Sequence, residues 1–201
     1  MRTGSQPLYV MTKEWLQKCH EDHDSCNKVT KLVGFLPTRL LKITAFRVTS
    51  DLDNRDVSYL ALSHRWGGHS TSLLSNNYNT LLSDVPIKYL PSNFLDAALI
   101  TSNMGFSYLW IDSLCIIQDS PVDKVREIPA MSEIYGHAIL TIAALAAENR
   151  NGGCFTSCYP LSLVPVLLRD GDYNIRDQVW AEPEKSREDG LYKSARWLHV
   201  P

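Results

Sequence analysis

Much that would assign this chain quickly is missing from it. There is no dense cluster of lysine and arginine with interleaved aromatics, and the formal net charge is −2. No basic field is available for a phosphate backbone, so nucleic-acid binding is disfavoured. No apolar stretch reaches membrane length: the longest run, Ala138 to Ala147, is about half of the ~20 residues that a spanning helix needs. The amino terminus lacks the apolar core of a signal peptide. Cysteine is sparse and odd in number, five in all (Cys19, Cys26, Cys115, Cys154 and Cys158), which fits reduced thiols in a cytoplasmic compartment better than a disulfide framework. No internal repeat or low-complexity tract breaks the chain. What remains is 201 residues, 44% hydrophobic and 21% charged, enough for one domain with extensions and a sizeable core.

The most informative stretch is Tyr108 to Gln118. The five residues ending at Asp112 form an aromatic and β-branched run with almost no alternation, which predicts a central strand covered on both faces. Asp112 then falls at the strand's carboxyl end, where open parallel sheets bind ligands. The simpler expectation is that Asp112 caps the next turn or helix. Tyr59 to Ser63 reads as a second buried strand, running into His64-Arg65-Trp66-Gly67-Gly68-His69, a loop rich in hydrogen-bond donors. Between them, Ser92 is a plausible N-cap for a helix bearing Phe94, Leu95, Ala98 and Leu99, with Gly105 placed to end it. Strand, helix, strand in this order predicts a right-handed crossover with both strands parallel. Ser63, His64, Arg65, Trp66, Asp112 and Cys115 would then meet at one rim.

Elsewhere, Leu36 to Ile43 predicts a strand continuing towards Val48, and Ser50 to Asp56 a turn. Residues 69–84 are irregular or partly helical. Asp123 can cap a helix reaching Tyr135 with Gly136 as its stop, although Pro129 should kink it or delay its start to Ile128. Ala138 to Ala144 predicts another buried strand and Leu161 to Leu168 one more, while residues 169–187 are polar with little periodicity. The fold class expected is α/β, an open and mostly parallel sheet flanked by helices.

Residues 1–37 read as a separate leader, with a short helix over Glu14 to Cys19, ahead of a domain over residues 38–201. In the leader, Cys19, His23 and Cys26 are spaced C-x3-H-x2-C with His20 beside them, weak candidates for one Zn²⁺. No second ligand pair follows, so no metal is assigned.

Four motifs in order resemble the heterokaryon incompatibility (HET) domain of filamentous fungi. Tyr59-Leu60-Ala61-Leu62-Ser63-His64-Arg65-Trp66-Gly67 is similar to its Y-x-A-L-S-Y-x-W-G. Leu90-Pro91 with Asp96-Ala97 resembles L-P-x4-D-A, Tyr108 to Gln118 resembles Y-L-W-I-D-x-L-C-I-x-Q, and Glu127, Met131, Ile134-Tyr135 and Ala138 resemble E-x3-M-x2-I-Y-x2-A. Trp15 to Cys26 and Leu36 to Leu41 are similar to segments that precede such domains. Three departures are His64 in place of an aromatic residue, Pro129 beside Glu127, and Arg196-Trp197 standing where the family continues into W-x2-Q-E-R. The last implies a copy shortened at its carboxyl end.

The resemblance implies a part in fungal non-self recognition and programmed cell death, and a fold distantly similar to TIR domains, some of which hydrolyse NAD. NAD is then a possible substrate, with no cofactor expected. Glu127 would be the catalytic carboxylate, stabilising an oxocarbenium-like transition state. On a continuous helix it shares a stripe with Met131 and Ile134. Asp112 and Ser63 would serve as substrate-binding residues, Trp66 would stack on a ring and Arg65 would meet a phosphate. Cys115 reads as buried packing. The alternative is a non-enzymatic module that associates with itself or with protein partners, its motif residues simply building the fold.

Overall fold

The computed structural model describes residues 3–23, 35–52, 57–66, 71–145, 147, 149, 151–156, 166–168, 178–185 and 192–200. Its helices are α1 (Gln6–Asp22), α2 (Tyr78–Ser83), α3 (Ser92–Met104), α4 (Asp112–Cys115) and α5 (Pro121–His137). Its strands are β1 (Leu40–Lys42), β2 (Arg47–Thr49), β3 (Tyr59–Ser63), β4 (Tyr108–Trp110), β5 (Leu140–Ala143), β6 (Val166–Leu168), β7 (Gln178–Lys185) and β8 (Tyr192–Val200). The chain divides into two compact units, residues 4–156 and residues 157–201 with 1–3.

The first unit is built on a five-stranded sheet of order β2-β1-β4-β3-β5. β3 pairs in parallel with both β4 and β5, whereas β1 is antiparallel to β4 and to β2. Four strands therefore share one direction and β1 alone opposes it. The class is mixed α/β with a mostly parallel sheet, as the strand-helix-strand pattern predicts.

Side-chain alternation along each strand divides the core between the two faces. Leu41, Leu60, Leu62, Leu109 and Ile111 pack on one side with Phe94, Ala97, Ala98 and Met104 of α3 and Tyr9 of α1. Leu40, Tyr59, Ala61 and Trp110 pack on the other with Ile134 of α5. The crossover through α3 moves from β3 to β4 over the first face. The crossover through α5 returns past β3 to β5 over the second, the arrangement that crossovers of a single hand require. Tyr59 Oη donates to the Ile134 carbonyl at 2.7 Å and Tyr135 Oη to the Leu62 carbonyl at 3.2 Å. Trp110, fully buried, meets the Tyr135 ring edge-on at 5.3 Å. Truncating an aromatic side chain at such a site costs about 3–5 kcal/mol.

Several local expectations need correction. The strand predicted from Leu36 towards Val48 is two strands, because Ile43–Phe46 turns the chain and Phe46 adopts φ 46°. β4 stops at Trp110, and Asp112 opens α4 instead of ending the strand. The N-cap of α3 is Pro91, one residue before Ser92, while Gly105 closes the helix at φ 93° as predicted. α5 starts at Pro121 under Ser120, whose hydroxyl accepts from the Asp123 amide, so Ser120 and not Asp123 is the cap. It runs past Gly136 and straight through Pro129. Pro129 and Val125 face solvent, so the Val125 carbonyl deprived of its donor can turn to water. β5 is an edge strand in which Thr141 and Ala143 are exposed, not a buried one. α1 is much longer than Glu14 to Cys19.

The second unit is an antiparallel sheet, β6-β7-β8. The polar segment that shows no periodicity contains β7, which pairs with β8 from Gln178↔Val200 to Lys185↔Tyr192. Glu182, Pro183, Glu184 and Lys185 hide its period-2 pattern. Pro183 lies beyond the described residues paired with β6; among the described residues the strand there has a neighbour on one side only, where a missing N–H is tolerated.

Candidate functional site

The parallel register sets the geometry. Ala61 lies opposite Trp110, so Ser63 and Asp112, two residues further on, reach the same carboxyl edge of the sheet. Ser63 is exposed at the end of β3, and its carbonyl accepts from the Ala144 amide at 3.0 Å. Arg65 is exposed just beyond.

Asp112 is half-buried and holds the rim together. Its Oδ1 accepts from the Ser113 amide at 2.7 Å and its Oδ2 from Trp66 Nε1 at 2.6 Å. The second bond ties a half-exposed indole to the start of α4. His64 Nδ1 lies 3.8 Å from Asp112 Oδ1, beyond hydrogen-bond reach. The His64 ring stands edge-on to Phe94 at 5.0 Å. Burial lowers the His64 pKa and Asp112 only partly offsets this, so the ring is neutral at pH 7. Behind the rim, Leu73 donates its amide to the Ser113 carbonyl and its own carbonyl accepts from the Gln118 amide, each at 2.8 Å. The Gln118 side chain donates to the Asp112 and Ile116 carbonyls at 3.0 Å.

Glu127 does not join this rim through any contact with Ser63, Trp66 or Asp112 among the described residues. It is 3% exposed and belongs to a second cluster. Its Oε1 accepts from Thr38 Oγ1 at 2.7 Å and from Arg126 Nε at 2.8 Å, and lies 3.7 Å from Arg39 Nη2. Arg39, 4% exposed, donates through Nε to the Cys115 carbonyl at 2.7 Å and through Nη2 to Asp123. Asp123 also accepts from Arg126 Nη2 at 2.6 Å and from the Ile117 amide at 2.7 Å. Burial pushes its carboxyl up, but the bonds from Arg39 and Ile117 and the charges of Arg39 and Arg126 outweigh that and hold its pKa below the ordinary value. Two guanidinium groups thus face two carboxylates. Arg39 ties the segment before β1 to both α4 and α5.

The cluster was missed in the sequence, although it leaves two signals there. Arg39 is one of two charges, with Lys42, inside the otherwise largely apolar stretch Leu36 to Ile43, and Asp123 and Glu127 share one helix face at i,i+4. Cys115 is buried and its thiol is pushed up to about 12 by burial, so it is packing and not a nucleophile. Of the zinc candidates, Cys19 and His23 sit at the end of α1 and Cys26 lies outside the described residues.

At the opposite, amino edge of β4 is an apolar groove of about 300 Å³ between the turn at Ile43 and Phe46, the outer side of α3 at Leu95 and Leu99, and Phe106 just beyond that helix. It carries no polar cluster.

The match of known families to the chain follows these motifs. The family described as Heterokaryon incompatibility protein (HET) matches residues 59–198, well over half of the chain and both motif strands. The chain belongs to the HET family. No curated protein and no solved structure matches it. Within the HET domain, the matched region takes in the whole rim and the acidic residues of α5. Arg39 and Thr38, which complete the second cluster, precede it. Among the described residues no helix is long and apolar enough to cross a membrane.

Proposed function

We propose that this HET domain acts in non-self recognition and programmed cell death as an interaction module, its charged motif residues holding the fold together. The observation that carries this reading is the state of Glu127. Its carboxylate is buried and accepts from Thr38 and Arg126. A carboxylate that must approach a ribose needs an open side, and this one is closed by protein on the sides described. Asp112 is likewise committed, with one oxygen on the Ser113 amide and the other on the Trp66 indole.

A second reading, TIR-like cleavage of NAD at the carboxyl edge, is favoured by one feature. Ser63 and Trp66 are exposed and Asp112 is half-buried on the same rim, where a ring could stack on the indole and a hydroxyl could meet Asp112. In that reading Glu127 leaves Arg126 and Thr38 to stabilise the developing positive charge.

Induced expression in a filamentous fungus separates the two. The module reading predicts that Glu127→Gln, once shown to be folded, still arrests growth as the wild type does. Arrest abolished by a folded Glu127→Gln variant would favour the enzyme.

A further inference from the structure

α5 presents to solvent a face that is apolar in its first half and small in its second. Val122 is 83% exposed, Val125 76% and Ile128 53%. They lie at i, i+3 and i+6, along one side of the helix. Pro129, Ser132 and Gly136 continue the same side and are exposed too. A Cβ at Gly136 would meet nothing within 4 Å, so this end of the face is open.

We propose that this face is the interface of a symmetric dimer, in which α5 packs antiparallel against α5 of a second copy of this chain. Two features of the helix choose that occupant. The first is charge. Arg126 and Glu133 have side chains 59% and 61% exposed and lie on the same flank of the stripe, seven residues or two turns apart. A two-fold axis between residues 129 and 130 keeps that flank on one side of both helices. It brings each Arg126 level with Glu133 of the second copy. The second feature is shape. The same axis places each Val125 level with residue 134 of the second copy, between its Ser132 and Gly136. A bulky residue then enters the space between two small ones, twice over, as close helix packing requires. Pro129 adds a reason for the contact. It leaves the Val125 carbonyl without a helical donor, and the Ser132 hydroxyl of the second copy approaches within the same turn.

The dimer deepens the reading of the domain as an interaction module and rests on that reading for its purpose, though not for its existence. Pairing through α5 leaves the carboxyl-edge rim and the apolar groove along α3 outside the contact, free for other partners.

The test is the mass of the full chain in solution, measured by light scattering across a concentration series. The wild type is expected at twice the monomer mass at tens of micromolar. V125E and G136L, both at exposed positions where the fold has no stake, are expected to raise the dissociation constant at least tenfold with unchanged circular dichroism. A V125C/S132C double variant is expected to form a cross-linked dimer on oxidation. The two thiols within one helix, about 10.5 Å apart along its axis, cannot join each other. A wild type that stays monomeric, a dimer indifferent to V125E and G136L, or no cross-link in the double variant would each overturn the proposal. Those results would leave the module reading untouched, since that is tested by growth arrest with Glu127→Gln.

Discussion

Replacing Arg39 by alanine should be among the most damaging single changes in the molecule. Its guanidinium carries three interactions at once, with the Cys115 carbonyl, with Asp123 and, at 3.7 Å, with Glu127. Without it two nearly inaccessible carboxylates share Arg126 alone, whose side chain is largely exposed and screened by solvent. Breaking a buried ion pair by removing one partner costs about 3–5 kcal/mol, from a total of about 5–15 kcal/mol for a folded domain. At about 2–4 °C per kcal/mol for a chain of this size, the melting temperature should fall by about 6–20 °C. The pH dependence gives a sharper check. The folded pKa of Asp123 is depressed, so its ionised form contributes stability above the unfolded value of about 3.9. That contribution is lost as pH falls through the lower, folded value. Arg39 is one main cause of the depression, so the gap in melting temperature between wild type and Arg39→Ala should be widest near pH 6 and narrow towards pH 3. Thermal melts followed by circular dichroism across that range provide both numbers. A loss under about 1 kcal/mol at pH 6, or a gap that does not change with pH, would refute the reasoning.

Three further outcomes follow from the same geometry. Pro129→Ala restores a donor for the Val125 carbonyl and removes a helix-interior proline, which is about 3 kcal/mol less favourable than alanine; the melting temperature should rise, and a fall would show that the proline is required where it stands. Gly105→Ala meets no neighbour within 4 Å but must hold φ 93°, so it should cost about 1–2 kcal/mol through the backbone alone; no loss in a urea titration would contradict that. Tyr59→Phe removes the 2.7 Å bond to the Ile134 carbonyl and leaves that oxygen only the longer bond from the Ala138 amide at 3.2 Å, costing about 0.5–1.5 kcal/mol; a neutral result would mean that α5 does not depend on this tie.

What could be read in advance was whatever local pattern decides. β3 is found residue for residue, because Tyr59 to Ser63 is a buried apolar run between turn signals. Its parallel pairing with β4 follows from the helix between them, and that pairing alone brings Ser63 and Asp112 to one edge. Long-range charge pairing left almost no local trace. Thr38 and Glu127 are 89 residues apart, and no spacing rule connects them. Pro129 misled for the opposite reason: the local rule against helix-interior proline is sound, but the solvent side of α5 makes the lost bond tolerable. β7 was hidden because a strand with charged residues and Pro183 on it lacks the alternation that identifies half-buried strands.

Incubating the purified full chain with NAD and following nicotinamide release tests the central claim most directly. If Glu127 is a structural carboxylate, release should not exceed that of the folded Glu127→Gln variant. Turnover by the wild type that Glu127→Gln abolishes, with its melting temperature unchanged, would contradict the account.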